Sequence, residues 1–391
     1  MVTWINGYIG RHNVGDEAIL ASVLQHLPQN AKPVVFSSNP AHTRLVHGVR
    51  SLLLPPIDFA AGKAGLWYGK GYWARHGVEL LLARLNVGGQ IYCGGGMLND
   101  HVPGRMVKRH ATVRAMAKLS GNRPVAFLAV GADLMTRESD RLAARELIED
   151  LVTYCSVRDQ QSYQALLELG INPQRVHLAE DVVFAMKVQE LPISTARVKS
   201  DLGINFRPLF DEAHNRDATA KHRAAYKARC IDLVAALSKE HESIALIPFG
   251  PDDFTFLSAI GATAGVPVEP WTDNPMAILQ RVAQCRAFIG MRYHAVVFSL
   301  IAGVPCVPLV YAPKVGALGE QMGVRQELVM VGNGEEMPDS LFEVHDVRNI
   351  LGDLMRDRQS VLRNYAALAK TKSEVAREDM VRCWQVLARG K

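Results

Sequence analysis

Short apolar runs alternate with longer stretches of helical periodicity along most of the chain, and this alternation limits the fold more than any other feature. The apolar runs are bounded by Gly, Pro, Asn or Asp, as the strands of a parallel sheet usually are. A repeated strand–helix–strand order implies right-handed crossovers, with helices on both faces of a sheet. The sequence therefore predicts an α/β protein.

The rhythm breaks once, near Pro192, and then resumes. Since 391 residues suit two cores better than one, we predict two Rossmann-like domains facing one cleft. The N-terminal domain covers 1–186, a linker 187–200, the C-terminal domain 201–355 and a helical tail 356–391.

The predicted elements follow from these patterns. In the first domain we expect strands at Val2–Asn6, Pro33–Ser37, Gly89–Cys93, Pro124–Val130 and Tyr154–Val157, and helices at Asp16–Leu27, Arg105–Ser120, Ser139–Leu151 and Asp159–Leu169. In the second we expect strands at Leu202–Phe206, Ser243–Ile247, Arg286–Ile289, Val304–Leu309 and Leu328–Val331, and helices at Ala224–Ser238, Pro275–Gln284, His294–Ala302 and Val347–Met355. Gly121 and Gly170 stand where helix C-caps are expected.

Composition excludes several classes of function. A net charge of +5 without a long Lys/Arg run is weak evidence for nucleic acid, so we expect no nucleic-acid partner. The six cysteines are scattered without a CxxC pair, which argues against a zinc or thioredoxin-like site and indicates a reducing compartment. We find no metal-ligand spacing, no secretory signal and no apolar run of about 18 residues that would span a membrane.

Arg292, His294 and Lys314 form the strongest candidate site. Arg292 and His294 are predicted to lie where a strand ends and a helix begins, which is where ligands bind in open α/β sheets and where anions are favoured. A histidine beside an apolar helix is usually structural, but two nearby cations favour a function. They indicate an anionic substrate and proton-transfer chemistry.

The turn after the first strand is a second candidate. Asn13 can cap the following helix, Gly15 lets backbone approach a ligand, and Asp16 and Glu17 suit a first helical turn. The alternative is an ordinary, well-capped βα turn. The two carboxylates fit sugar hydroxyls or a general base better than a phosphate.

Two further strand ends carry candidates. Gly94, Gly95 and Gly96 precede Asn99, and three successive glycines favour a loop that contacts a ligand over a plain turn. Arg158 is either an anion clamp or a surface residue of an N-capped helix.

An aromatic cluster could stack on sugar faces, lie at a membrane interface or pack in a core. Its members are Trp67, Tyr68, Tyr72 and Trp73.

Taken in order, these motifs resemble the polysaccharide pyruvyl transferase family across residues 1–330. The resemblance is carried by Asn13–Ile19, Gly94–Gly96, Ser156–Asp159, Met291–His294, Ala302–Pro305 and Lys314–Val315. It implies a GT-B-like fold and transfer of the enolpyruvyl unit of phosphoenolpyruvate to a sugar as a pyruvate ketal. The chain departs from the family pattern at Glu180–Val182, where Gly-Asp-Pro is frequent, and at Val130–Asp133, where Gly-Pro is frequent.

The resemblance also implies roles for residues. Arg158, Arg292 and His294 match family positions that bind phosphoenolpyruvate and catalyse transfer. His294 is the candidate acid for the methylene carbon, Lys314 assists in holding the phosphate and carboxylate, and Asp16 or Glu17 orients or deprotonates the acceptor. No metal or other cofactor is expected, since phosphoenolpyruvate is a substrate. The expected acceptor is a carbohydrate, free or lipid-linked, on the side of the N-terminal domain, and phosphoenolpyruvate is expected on the side of the C-terminal domain.

Two other classes stay open at this level. A GT-B glycosyltransferase would use a nucleotide sugar, although no Glu-x7-Glu pattern stands out in the second domain. A non-catalytic anion-binding protein could keep the same fold. Phosphoenolpyruvate and the missing export signal predict a cytoplasmic location, and the basic charge is compatible with peripheral contact at the inner face of the membrane.

Overall fold

A computed structural model describes residues 2–55, 71, 76–85, 87–187, 199–209, 220–324 and 342–389. The chain forms two compact units. The first comprises Met1–Arg11, Asp16–Met186 and Lys372–Lys391, and the second comprises His12–Gly15 and Lys187–Thr371. Most of the predicted linker, the predicted strand Leu328–Val331 and the aromatic residues Trp67, Tyr68, Tyr72 and Trp73 lie outside the described residues.

The first unit contains one parallel sheet with helices between its strands. Its strands are β1 (Val2–Asn6), β2 (Lys32–Ser37), β3 (Ser51–Leu53), β4 (Val87–Cys93), β5 (Gly96–Leu98), β6 (Val125–Ala132), β7 (Tyr154–Val157) and β8 (Val176–Leu178). Its helices are α1 (Val14–Gln25), α2 (Pro40–His47), α3 (residues 76–84), α4 (Arg105–Leu119), α5 (Glu138–Glu146, extended by a π-helical turn at Leu147–Leu151) and α6 (Gln160–Glu168).

The strand order of this sheet is β3-β2-β1-β4-β6-β7-β8, with β5 beside β6. The order reverses between β1 and β4, so their carboxyl ends flank the switch point at which α/β folds bind ligands. Trp4 of β1 is fully buried, packs edge-on against Phe36 at 5.1 Å between ring centroids, and donates a hydrogen bond from Nε1 to the Ala83 carbonyl. A single core layer thus anchors β1, β2 and α3.

The second unit is built on a smaller parallel sheet of order β10-β9-β11-β12. Its elements are β9 (Ser200–Asn205), α7 (Ala220–Leu237), β10 (Ile244–Leu246), α8 (Pro251–Ala264), α9 (Pro275–Ala283), β11 (Cys285–Gly290), α10 (Tyr293–Ala302), β12 (Cys306–Pro308), α11 (Pro313–Gln321), α12 (Val344–Arg356) and α13 (Arg358–Arg389), which continues into the first unit from Lys372. Here the order reverses between β9 and β11, where Asn205 pairs with Gly290.

Two parallel sheets interleaved with helices confirm the predicted α/β class. Gly121 and Gly170 also follow helices, with φ values of 79° and 82° that favour glycine. No helix of the described residues is long and apolar enough to cross a membrane.

The end of α13 is part of the first unit's core. Lys372 pairs with both carboxylate oxygens of Glu180 at 2.8 Å, which gives a structural reason for the departure from the family pattern at Glu180. Asp379 is 1% exposed and accepts hydrogen bonds from the hydroxyls of Tyr154 and Ser156 on β7. Arg358–Arg389 form one helix, and from Lys372 onward this helix belongs to the first unit and packs on its sheet.

Candidate active site

The carboxyl ends of β9 and β11 are tied together in the second unit. The backbone N–H of Arg292 donates to Asn205 Oδ1 at 3.1 Å, and Asn205 Nδ2 donates to Asp253 Oδ2 at 3.2 Å. Arg292 is the N-cap of α10, and Asp253 lies in the first turn of α8. Three elements therefore meet at the switch point of the smaller sheet.

A bidentate ion pair fixes the Arg292 guanidinium. Nε and Nη2 donate to the two carboxylate oxygens of Asp253 at 2.7 and 2.6 Å. Burial lowers the pKa of Arg292, but the Asp253 carboxylate outweighs burial and raises it above its ordinary value. The guanidinium is thus held rigidly in its charged form, and Nη1 lies outside the pair with Asp253.

His294 packs directly on a glycine. A Cβ atom on Gly15 would lie 1.9 Å from His294 Nδ1, so the imidazole fills the space of that missing side chain. The Val14 N–H donates to the Phe249 carbonyl at 3.1 Å, and Asn13 Oδ1 accepts from the Gly15 N–H at 3.0 Å. Asn13 thereby supplies the predicted cap, and the His12–Gly15 segment sets the position of His294.

Three cations influence the Tyr311 hydroxyl electrostatically. Burial raises the pKa of Tyr311, but the charges of Lys314, Arg207 and Arg292 together outweigh burial and lower it below its ordinary value. The Arg207 guanidinium also lies over the Tyr311 ring, 5.2 Å from its centroid. A position that stabilises a phenolate is one that can stabilise another anion.

Arg207 and Asp253 were not among the predicted site residues. Their positions offered a signal, since Arg207 stands two residues beyond the end of β9 and Asp253 in the first turn after β10. Both residues follow the carboxyl end of a parallel strand, where α/β folds place functional side chains.

The glycine triplet forms a tight turn in the first unit. Gly94 and Gly95 have φ values of 58° and 68°, and a Cβ on Gly94 would lie 2.3 Å from Ile19 Cδ1. Asn99 is 2% exposed and holds this turn, donating to the Gly96 carbonyl at 2.7 Å. Fold geometry accounts for Gly94, Gly95 and Asn99 without a ligand.

The carboxylates Asp16 and Glu17 were predicted to lie in the first turn of the helix after β1, and the structure separates their roles. Asp16 Oδ1 would lie 3.4 Å from a Cβ on Gly95, so Asp16 borders the triplet. Glu17 is fully buried: one oxygen accepts from the Gly10 N–H at 2.9 Å and the other pairs with His47 Nε2 at 2.8 Å. Glu17 therefore links the turn after β1 to α2, and both of its carboxylate oxygens are used in these contacts.

Arg158 lies in the first unit and is 4% exposed. Its Nη1 pairs with Asp181 Oδ2 at 2.9 Å, and Nη2 would lie 3.2 Å from a Cβ on Gly131. Asp181 also caps a short helix by accepting from the Val183 N–H at 3.1 Å, so it is more than a turn residue. The catalytic role of Arg158 stays a prediction.

Among the predicted site residues, the second unit thus gathers Asn13, Gly15, Arg292, His294 and Lys314, and the first holds Asp16, Glu17, Gly94, Gly95, Gly96, Asn99 and Arg158. A cationic site with an imidazole at a helix start thus lies at the switch point of the smaller sheet, where α/β folds bind ligands.

The chain belongs to the polysaccharide pyruvyl transferase family, because the model of that family matches residues 13–313. A comparison with curated proteins gives no match.

Several solved structures share the fold of this chain at low sequence identity. Alr3699/HepE from Anabaena, in complex with UDP, has a TM-score of 0.53 at 13% identity, with 99% of both chains covered. UDP-GlcNAc 2-epimerase from Neisseria meningitidis, bound to UDP-GlcNAc, has a TM-score of 0.59 at 11% identity, with 99% of both chains covered. A putative UDP-N-acetylglucosamine 2-epimerase from Listeria monocytogenes gives 0.59 at 12%, over 96% of this chain and 94% of that one. These likenesses confirm the GT-B-like fold and carry no information on the substrate.

Proposed function

We propose that this pyruvyl transferase takes the enolpyruvyl unit from phosphoenolpyruvate and attaches it to two hydroxyls of one sugar as a ketal. Family membership supports pyruvyl transfer. The observation that carries the choice of donor is the placement of three cations: Arg292 follows β11 and is fixed by Asp253, Arg207 follows β9 and lies over the Tyr311 ring, and Lys314 lies in the first turn of α11. Phosphoenolpyruvate carries both a phosphate and a carboxylate, and guanidinium groups bind such oxyanions well.

The proposed reaction begins with proton transfer to phosphoenolpyruvate and ends with a pyruvate ketal and free phosphate. His294, protonated, gives a proton to the methylene carbon, and positive charge develops at C2. A sugar hydroxyl attacks C2, the C2–O bond to phosphate breaks, and phosphate leaves with the electron pair. A second hydroxyl closes the ketal. Of the two hydroxyl protons released, one replaces the proton lost by His294 and the other leaves with phosphate.

The cations would act where charge builds up. Arg292, fixed by Asp253, presents a preorganised charge, so little reorganisation is needed as phosphate departs. Arg158, in the first unit, keeps the donor-binding role that the family resemblance implies, and Asp16 keeps its predicted role of orienting the acceptor hydroxyl. Glu17 is not proposed as a base, since both its oxygens are used within the fold.

Ligand-induced stabilisation tests the donor. A ligand at 100 times its dissociation constant adds about 2.7 kcal/mol to stability. We expect phosphoenolpyruvate to raise the thermal midpoint of the wild type, UDP and GDP to have no effect, and Lys314→Ala to abolish the response. Lys239→Ala, which removes the same charge from an exposed position after α7, is the matched control.

The same titration addresses the nucleotide-sugar alternative that the sequence leaves open. Stabilisation by UDP or GDP alone would overturn the proposed donor. Formation of a pyruvate ketal on a sugar, detected by mass spectrometry with phosphoenolpyruvate as the only donor, would complete the assignment.

A further inference from the structure

His12 is held in a backbone conformation that few residues adopt. Its φ is 61°, in the left-handed region, where a residue with a side chain is uncommon and His, Asn and Asp are over-represented. Such strain persists when the surrounding structure fixes it, and it concentrates at functional sites. His12 opens the His12–Gly15 segment of the second unit, the segment that seats His294.

A buried carboxylate orients the His12 ring. His12 Nδ1 lies 2.8 Å from Asp273 Oδ2, and the two side chains are 37% and 9% exposed. A carboxylate on Nδ1 fixes the tautomer and the ring orientation, so Nε2 is the nitrogen that would accept a proton from a substrate. The pair has the arrangement of a general base with its positioning residue.

An aromatic ring completes the group. Trp271 is half-buried and meets the His12 ring edge-on, with centroids 5.6 Å apart at 73°. Flat rings with one exposed side bind the apolar face of a sugar, while neighbouring polar groups take its hydroxyls.

This group borders the cationic site through one glycine. A Cβ on Gly250 would lie 3.8 Å from the His12 carbonyl oxygen and 3.5 Å from Arg292 Nη2. The backbone of His12 and the Arg292 guanidinium therefore flank the same residue, and Gly15, three residues after His12, lies against His294.

We propose that His12, Asp273 and Trp271 form the acceptor subsite, which binds a sugar ring on Trp271 and uses His12 as the base for its attacking hydroxyl. The inference rests on the proposed function. The proton of the first hydroxyl moves to His12 Nε2 as its oxygen bonds to C2, and His12 passes it through solvent to His294, which gave a proton to the methylene carbon. Phosphate leaves with the electron pair of the broken C2–O bond and takes the proton of the second hydroxyl, which closes the ketal. His294 remains the acid for the methylene carbon.

Substitutions that keep the backbone separate the base from the fold. His12→Asn suits a left-handed φ and still donates to Asp273, but it cannot take a proton. Removing a general base costs about 10²- to 10⁴-fold, so we expect kcat to fall by that factor with KM for phosphoenolpyruvate unchanged. His345→Asn is the control, because His345 forms a surface pair with Asp346 at 3.1 Å.

Asp273 and Trp271 have their own readouts. We expect Asp273→Asn to lower kcat less than His12→Asn does, and Asp273→Glu to restore part of it. The p-nitrophenyl glycosides of galactose, glucose and mannose serve as acceptor probes, and their binding is measured by saturation-transfer NMR. Trp271→Ala should abolish the saturation-transfer signal of the bound glycoside, and Trp271→Phe should keep part of that signal.

Several results would overturn the subsite: a His12→Asn rate close to wild type, glycoside binding that is indifferent to Trp271→Ala, or no glycoside binding by the wild type. Failure of the proposed function gives a different pattern. Phosphoenolpyruvate would then neither stabilise the wild type nor yield product, while glycoside binding would still depend on Trp271.

Discussion

Gly15 has no room for a side chain, because His294 occupies the position of its Cβ. Gly15→Ala must push the imidazole away from the start of α10. We expect turnover to fall by about 10²-fold or more, the loss that follows removal of a general acid, while phosphoenolpyruvate still stabilises the protein through Arg207, Arg292 and Lys314. Steady-state kinetics together with a phosphoenolpyruvate thermal titration would measure both effects.

Gly352→Ala is the matched control for that change. Gly352 lies within α12 and a Cβ there would meet no neighbour within 4 Å. Alanine in a helix interior is favoured over glycine by roughly 0.5–1 kcal/mol, so this variant should gain stability and keep its activity. A Gly15→Ala enzyme with wild-type turnover would show that the position of His294 does not matter for catalysis.

Tyr311 reports the electrostatic field of the cationic site. Its pKa is lowered in the folded protein, so the wild type gains stability relative to Tyr311→Phe as the pH rises from the folded pKa to the unfolded one. The difference in phenolate absorbance between the wild type and Tyr311→Phe reports Tyr311 alone. We expect this difference to titrate below the ordinary tyrosine pKa of about 10. Lys314→Ala should move that titration upward. If the Tyr311 titration midpoint were unchanged in Lys314→Ala, Lys314 would not contribute to the field at Tyr311.

Arg158 can be separated from its ion pair by a double substitution. Arg158→Met leaves the Asp181 carboxylate, 1% exposed, without its cation, which typically costs about 3–5 kcal/mol. Adding Asp181→Asn removes the buried charge, and urea unfolding should show most of the stability restored. We expect turnover to stay low in the stable double variant; recovery of turnover would limit Arg158 to a structural role.

At the scale of elements, α13 introduces a buried acid against β7. Burial raises the pKa of Asp379, while the hydroxyls of Ser156 and Tyr154 partly oppose the shift. Because the folded pKa lies above the unfolded one, the stability of the wild type falls as the pH rises through this range.

Asp379→Asn removes that dependence. We expect the variant to match the wild type at acidic pH and to exceed it in stability at neutral pH, as measured by urea unfolding at both. Equal stabilities of the wild type and Asp379→Asn at neutral pH would mean that hydrogen bonds fully offset the cost of burying the Asp379 carboxylate.

Several longer elements could be predicted from sequence because their burial is one-sided or complete, although the 14-residue helix α8 was missed. Val2–Asn6 and Tyr154–Val157 are strands with the predicted bounds. The missed strands β3, β5 and β8 have three residues each, too few to show alternation. Helix α11 was missed because Gly316 and Gly319 weaken its local propensity, and both are buried in the structure, where packing compensates.

The candidate site was predictable only in part, for a related reason. Arg292, His294 and Lys314 stand in recognisable motifs, whereas Arg207, Asp253 and Asp273 join the site through the sheet order β10-β9-β11-β12. A sequence pattern gives the end of each strand but not which ends are neighbours, so contacts between residues far apart in the chain escape it.

At the scale of the molecule, the chain passes between its two units more than once. Residues 372–391 complete the first unit, and Leu387 packs so closely on Gly89 that a Cβ there would lie 2.7 Å from Leu387 Cδ2. We expect a chain ending at Thr371 to lose cooperative unfolding of the first unit, detected by limited proteolysis of residues 16–186. Protection equal to that of the full chain would contradict this view.

The shared use of α13 also bears on biosynthesis. Domains of a nascent chain generally fold in order, the N-terminal one first. Here the first unit obtains Lys372, Asp379 and Leu387 only after residues 187–371 have been synthesised, so Glu180, Tyr154 and Ser156 meet their partners on α13 after the second unit's sequence has been made. The first unit therefore completes its core later than the order of its residues along the chain would suggest, and a nascent chain that stops before α13 would expose that incomplete core.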